Sequence, residues 1–222
     1  MWQSVAGREA DAIRAEYGVG RDMAAVVLAD TRRDPDHATQ ALLDDVRGRL
    51  TSVVRNRLHR FEATAVTADQ PTAFALPGGF IFVAGTLLHL CQRDRDEVAF
   101  VVAHEMAHVI RRHAIDRLLQ QKVLSVLSLA SPGRGVLGSW IRRVGMQGLE
   151  RAYSRDQEFE ADELGVRLMR AAGFDVAGAV RLLQRFGDLD RRPDRFGVGA
   201  YMSTHPPVED RVGRLRRLEL VG

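Results

Sequence analysis

Two histidines four residues apart, with a glutamate directly after the first, stand in the apolar stretch FVVAHEMAHVIRRH at residues 100–113. On a helix, residues i and i+4 lie on one face, so His104 and His108 can direct their imidazoles at one point. Glu105 is rotated by about 100° from His104 and can reach a group bound at that point without being a ligand there itself. Two neutral imidazoles and a carboxylate that accepts a proton from water are suited to hold a zinc ion and to activate water beside it.

A third ligand is needed, because a catalytic zinc ion commonly takes three protein ligands. Without a third ligand, HExxH also fits a core helix that carries two hydrogen-bonded histidines. His113 is nearest in sequence, but on a continuous helix it would point away from His108. The stretch SRDQEFEADELG offers Glu158 and Asp162 one helical turn apart. A carboxylate there could complete the zinc set, and Asp162 could hydrogen-bond the free ring nitrogen of a zinc histidine. Glu160 lies on a different face and is the weaker candidate.

The elements that must position these residues are mostly helical. Apolar residues at helical spacing predict helices over 4–17, 38–58, 95 to about 127, a long segment ending near 173, 176–186 and the terminal stretch PVEDRVGRLRRLEL. FEATAVTA (61–68) and GFIFVAG (79–85) are β-prone, and the second follows the turn sequence LPGG. The sequence therefore predicts an α+β fold, mostly helical, with a small β-sheet that precedes the HExxH helix.

The composition is that of one folded domain. The 222 residues are 45% hydrophobic and 27% charged, so we expect a single domain over 1–222, with a helical N-terminal region at 1–59 and a catalytic core at 60–222. The net charge is only +3 and no nucleic-acid motif accompanies the arginines. A lone cysteine, Cys91, excludes an internal disulfide.

The expected location of the protein depends on two kinds of segment, a membrane span and a signal peptide. No stretch reaches the roughly 20 apolar residues of a membrane span, and acidic residues interrupt the N-terminus where a signal peptide would be apolar. The sequence predicts a cytoplasmic protein, or a piece of an exported or membrane-anchored parent.

HEMAH and EFEAD together resemble the gluzincin zinc metallopeptidases, specifically the CAAX-prenyl-endopeptidase and HtpX family with its soluble BepA-like branch. AFALPGGFIFVAGTLL, SRDQEFEADELG and STHPPVEDRVGRL are similar to further motifs of that family, in the same order. The resemblance implies a minigluzincin-like zincin fold with one Zn²⁺ per chain, bound by His104, His108 and Glu158. It also implies that Glu105 is the general base and that Asp162 hydrogen-bonds a zinc histidine.

The resemblance further implies a place for the substrate. Gly79, Phe80, Ile81 and Phe82 match the family's active-site edge strand, whose free backbone groups would pair with an extended polypeptide. His205, in THPP, would lie near the metal. There it could donate to the oxyanion of the tetrahedral intermediate, or take the fourth position on zinc and close the site. A surface histidine with neither role is the third reading.

The function implied by the resemblance is zinc-dependent hydrolysis of internal peptide bonds in unfolded or misfolded proteins, with Glu105 as base for a zinc-activated water. The expected partner is a polypeptide substrate. A nucleic-acid partner is not expected, and neither is a transmembrane segment in this chain. The main alternative is a zinc-stabilised chaperone-like or binding protein with little proteolytic activity, and a third is a zinc hydrolase of non-peptide substrates. Arg211 is expected to pair with a local carboxylate, and Tyr153 and Tyr201 to pack in the core.

Overall fold

The computed structural model describes residues 2–120, 153–190, 201, 205 and 208–220. Most of this part of the chain is helical, and its three strands all precede the helix that carries HExxH. The helices are α1 (Trp2–Asp30), α2 (His37–Ser52), α3 (Gly85–Leu90), α4 (Arg95–Ile110), α5 (His113–Gln120), α6 (Arg155–Ala171), α7 (Ala177–Asp190) and α8 (Val208–Leu220). The strands are β1 (Glu62–Val66), β2 (Ala73–Leu76) and β3 (Phe80–Ala84). The predicted α+β class, mostly helical with a small sheet, is confirmed.

The sheet places β3 in the middle, parallel to β1 on one side and antiparallel to β2 on the other. The prediction that Gly79, Phe80, Ile81 and Phe82 form a free edge strand is therefore wrong. The turn at Pro77–Gly79 folds β2 back onto β3, and Gly78 and Gly79 supply the positive φ angles of 76° and 98° that this reversal needs. The backbone groups of β3 are consequently used inside the sheet.

β1 and β2 are the edge strands of the described sheet, and β2, which the sequence did not identify as a strand, is buried along its length. The amide of Ala84 donates to the carbonyl of Thr72 at 2.9 Å. Backbone groups alternate in direction along an antiparallel strand, so those of Ala73 and Ala75 point away from β3. The carbonyl of Ala75 accepts a hydrogen bond from Arg117 Nη2 at 3.5 Å, which is consistent with this direction.

Helix α4 forms the centre of the fold, because every side chain from Glu97 to Val109 is buried. Asp94 begins the helix, where its side chain accepts from two free amides of the first turn at 2.9 and 3.0 Å. Helix α6 packs closely against α4, since a Cβ on Gly165 would come within 3.3 Å of the amide nitrogen of His104. This close approach brings the first turn of α6 beside the histidines of α4.

One continuous helix was expected from residue 95 to about 127, and in its described part this expectation is wrong. Helix α4 ends at Ile110, Arg112 adopts a positive φ of 65°, and α5 begins at His113. Residues 121–127 lie outside the described part of the chain, as do 145–152 of the expected long helix.

Helix α1 packs on the turn that joins β2 and β3. A Cβ on Gly20 would lie 1.7 Å from the carbonyl oxygen of Pro77, and Glu16 pairs with Arg112 at 2.6 Å. These contacts support the proposal that the N-terminal helical region and the core belong to one domain. Among the described residues, no helix has both the length and the apolar character needed to cross a membrane.

Candidate metal centre

Four side chains that can bind a metal converge at the interface of α4 and α6. His104 and His108 come from α4, Glu158 from the first turn of α6, and His205 from the residues ahead of α8. One ligand atom of each lies within 4.8 Å of the others, and all four residues are buried. The Nε2 atoms of the two α4 histidines are 3.1 Å apart, and Glu158 Oε1 is 3.3 Å from Nε2 of His108. The structure thus brings together the three ligands expected from the sequence.

Glu158 is positioned by the start of its helix. Ser154 and Gln157 form a reciprocal capping box, in which the Ser154 side chain accepts from the amide of residue 157 at 3.2 Å and the Gln157 side chain accepts from the amide of residue 154 at 3.0 Å. This cap fixes where α6 begins. The carboxylate of Glu158 therefore leaves the first turn at a defined place opposite His108.

Glu105 lies beside the cluster without joining it. Its side chain is fully buried, and neither carboxylate oxygen accepts a hydrogen bond from the described residues. His205 is an ionisable neighbour of this side chain, with its Nε2 3.4 Å from Oε1 of Glu105. A buried carboxylate with uncommitted lone pairs is costly unless a ligand or water uses them. The side chain is therefore available to accept a proton from a group bound at the cluster.

Asp162 contacts His104 on the side away from the cluster, as the sequence suggested. Its Oδ1 is 3.0 Å from Nδ1 of His104. This arrangement can fix the tautomer and the orientation of a ligating imidazole.

Arg211 links more of the centre than the expected single carboxylate. Its guanidinium donates to both oxygens of Asp162, at 2.8 and 2.7 Å, and lies 2.9 Å from Oε2 of Glu158. It also donates to the backbone carbonyl of His205 at 3.1 Å. The sequence signal for this role was weak, since only the interval of six residues from His205 suggested that the two groups are near each other.

Burial and charge shift the pKa values in opposite directions at this centre. Burial tends to raise the pKa of Glu158, but His205 and Arg211 bring it well below its usual value. Burial likewise tends to raise the pKa of Asp162, and Arg211 brings it below its usual value. Burial lowers the pKa of His108 well below its usual value. The carboxylates are therefore held ionised and His108 neutral, as a metal requires of its ligands.

Two tyrosines cover the imidazoles. Tyr153 stacks on His108 with ring centroids 3.8 Å apart and planes 15° apart, and Tyr201 packs against His205 with centroids 4.7 Å apart. Both rings are buried, in line with the expectation that they pack in the core. Their faces restrict the rotation of the two imidazoles.

The charges at this centre fit a divalent cation. Three carboxylates (Glu105, Glu158 and Asp162) are buried there, and the guanidinium of Arg211 pairs with two of them. Burial tends to lower the pKa of His205, but Glu158 raises it above its usual value. The centre therefore favours positive charge at a place where unpaired charge is expensive. Two imidazoles and a carboxylate are the donor types that zinc prefers. The residues present therefore fit a bound Zn²⁺.

Comparison with known proteins agrees with this geometry. The mitochondrial metalloendopeptidase OMA1 of Saccharomyces cerevisiae is 32% identical over 151 residues, which cover 66% of this chain and 43% of that protein. OMA1 of Schizosaccharomyces pombe is 31% identical over 181 residues, 81% of this chain and 52% of that protein. A beta-barrel assembly-enhancing protease of Yersinia pestis is 28% identical over 167 residues, 70% of this chain and 34% of that protein. The chain spans about half or less of the length of these relatives.

A family model extends this similarity over most of the chain. The model of peptidase family M48 matches residues 37–219, a region that begins at α2 and includes all the residues of the centre described above. On this match, the chain belongs to peptidase family M48, a family of metallopeptidases.

Proposed function

We propose that this chain is a zinc-dependent endopeptidase that cleaves unfolded or misfolded polypeptides. The observation that carries the proposal is the convergence of three metal-ligand side chains beside the uncommitted carboxylate of Glu105. Family M48 membership and the names of the metalloendopeptidase relatives support the same reaction class. One zinc ion per chain is expected, because the described residues offer one such cluster.

The ligands are His104 and His108 through Nε2, and Glu158 through its carboxylate. The Nε2 atoms face each other, whereas Nδ1 of each ring faces another partner, Asp162 or His113. A bound zinc ion would lower the pKa of a water molecule and polarise the carbonyl group of the substrate. The orientation of each imidazole is set before the metal arrives, which reduces the cost of assembling the site.

Glu105 is the general base in this proposal. Its carboxylate takes the proton from the attacking water, and it returns a proton to the amine that leaves when the peptide bond breaks. Its burial excludes bulk water as a competing partner. A site that only held zinc for stability would need no such group, and this favours an enzyme over the chaperone-like or binding protein.

His205 is proposed to close the site rather than to stabilise the oxyanion. Its Nδ1 lies 2.9 Å from Oε1 of Glu158 and 3.3 Å from Nε2 of His104, so the nitrogen is among the ligand atoms. An oxyanion donor would instead stand apart from the ligands, next to the substrate carbonyl. In this arrangement His205 must withdraw before a substrate carbonyl can approach.

The substrate is proposed to lie along β2 in an extended conformation. The backbone groups of Ala73 and Ala75 are those directed away from β3, and a peptide could pair with them by adding a strand once the residues that bury them move aside. Arg117 holds the Ala75 carbonyl at 3.5 Å and would have to release it. A chain without fixed tertiary structure can adopt this conformation along its whole length, and this supports unfolded polypeptides as the substrate class.

The experiment combines metal content with cleavage of an unfolded casein substrate, for wild type, Glu158→Gln and Glu163→Gln. Glu163 is the matched control, because it lies on the same helix and pairs with Arg167 at the surface. Wild type and Glu163→Gln should each hold one zinc ion and cleave the substrate, and Glu158→Gln should lose both properties. Zinc-loaded wild type without cleavage would favour the binding protein, and wild type without zinc would exclude the proposed centre.

A further inference from the structure

His113 contacts the one ring nitrogen of His108 that faces away from the ligand cluster. The two Nδ1 atoms are 3.0 Å apart, with ring centroids 5.1 Å apart and planes 66° apart. Nε2 of His108 faces His104 and Glu158 instead. His113 is 5% exposed, so water does not replace this contact.

The role of His108 as a metal ligand determines which of the two histidines donates the hydrogen bond and which accepts it. An imidazole that binds a cation through Nε2 uses that lone pair, so the proton of the neutral ring must be on Nδ1. That N–H points at Nδ1 of His113, which must then be unprotonated and accept. The proton of His113 consequently sits on its Nε2, which lies 3.7 Å from Oε2 of Glu160.

The same pattern occurs at the other histidine of α4. Nδ1 of His104 faces Asp162 at 3.0 Å, while its Nε2 faces the cluster. Each imidazole of the HExxH helix therefore has a partner behind it. The partner of His104 is the ionised carboxylate of Asp162. The partner of His108 is the neutral imidazole of His113, whose other nitrogen faces the carboxylate of Glu160.

The backbone is bent to make this contact. On an uninterrupted helix, His113 would stand about 140° around the axis from His108 and could not reach it. Arg112 instead takes a φ of 65°, a conformation that costs a non-glycine residue about 1–2 kcal/mol. Its side chain pairs with Glu16 of α1 at 2.6 Å, which holds the bend in place. Strain of this kind is commonly found where a functional group must be aimed.

We propose that His113 is a positioning residue that accepts the Nδ1–H hydrogen bond of His108 and so fixes the tautomer and direction of that metal ligand. This inference rests on the zinc site proposed above. His113 itself is not a ligand, because its Nδ1 is turned to the back of His108. Its loss should weaken metal binding without altering the set of ligands.

The test measures zinc affinity by chelator competition for wild type, His113→Ala, His113→Asn and His37→Ala. Loss of such a partner typically weakens metal binding about 10–100-fold, so His113→Ala should show a loss of this size. Asn places an amide oxygen near the position of the imidazole Nδ1, so His113→Asn should recover part of the affinity. His37 is exposed, and His37→Ala should bind as wild type does.

A second readout does not depend on any variant. Nitrogen chemical shifts of the zinc-loaded wild type should show His113 unprotonated at Nδ1 and protonated at Nε2, and His108 protonated at Nδ1. This measurement also decides the case in which His113→Ala does not fold. A protonated Nδ1 on His113, or equal zinc affinities in wild type and a folded His113→Ala, would overturn the inference and leave the proposed function intact. Wild type that binds no zinc would overturn both.

Discussion

Arg211 and Asp162 form a bidentate ion pair with hydrogen bonds of 2.7 and 2.8 Å, and both side chains are buried behind the metal centre. A buried pair of this kind is weak evidence of stability by itself, but removing one partner leaves an uncompensated charge. Here the guanidinium also faces Glu158 and the carbonyl of His205. Arg211 therefore connects a proposed ligand, the partner of another ligand and the residue proposed to close the site.

Arg211→Ala should destabilise the metal-free protein strongly. Asp162 and Glu158 would be left buried without their countercharge, and breaking such a pair typically costs about 3–5 kcal/mol. Denaturant unfolding of the metal-free protein measures this free energy directly. The exposed Arg216 on the same helix is the control, and Arg216→Ala should change the stability little. Equal midpoints for the two variants would contradict the role given to Arg211.

Removal of zinc should lower the stability of the wild-type protein. The cation compensates the buried carboxylates of the centre, and a ligand that binds only the folded state stabilises it. At free zinc about 1,000 times its dissociation constant, the gain is about 4 kcal/mol. Thermal unfolding before chelation, after verified demetallation and after return of zinc measures the effect. A melting temperature that does not change across the three samples would argue against zinc at this buried site.

His205→Ala distinguishes the two roles of that histidine. If its Nδ1 occupies a position among the ligands, removal opens the site and cleavage of unfolded casein should be several-fold faster. An oxyanion donor would give the opposite result, since losing one costs about 10²–10³-fold in rate. The steady-state rate is compared with that of His37→Ala, which has an exposed side chain in the wild type. Slower cleavage by the folded, zinc-loaded variant would refute the closing role.

The bend at Arg112 can be tested by two substitutions that both remove the ion pair with Glu16. Glycine adopts a φ of 65° freely, whereas valine is strongly disfavoured there. Arg112→Val should therefore be less stable than Arg112→Gly, by about 1–2 kcal/mol, and should bind zinc more weakly because His113 is misplaced. Denaturant unfolding and chelator competition give the two quantities. If both variants behave alike, the bend does not position His113.

The sequence identified the parts of this site that depend on local periodicity. His104, Glu105 and His108 follow from positions within one helix, and Glu158 and Asp162 from positions one turn apart in another. The presence of a small sheet ahead of α4 also followed from local β-propensity and from the LPGG turn.

Other features depend on contacts between distant segments and were missed for that reason. Because β1 pairs with β3, the strand that contains Phe80 lies in the middle of the sheet, and the strand that contains Ala75 lies at an edge. The left-handed backbone at Arg112 carries no glycine to mark it, so the helix was extended through it and His113 was set aside. The several partners of Arg211 likewise come from α6 and from the segment that holds His205.

The most direct test of the central claim is the cleavage rate of Glu105→Gln with its zinc content measured in the same sample. The amide keeps the size of the side chain but cannot accept the proton of the attacking water. We expect one zinc ion per chain and a rate about 10²–10⁴-fold below that of the wild type. Zinc-loaded Glu105→Gln that cleaves unfolded casein as fast as the wild type would contradict the account of this chain as a zinc peptidase with Glu105 as its base.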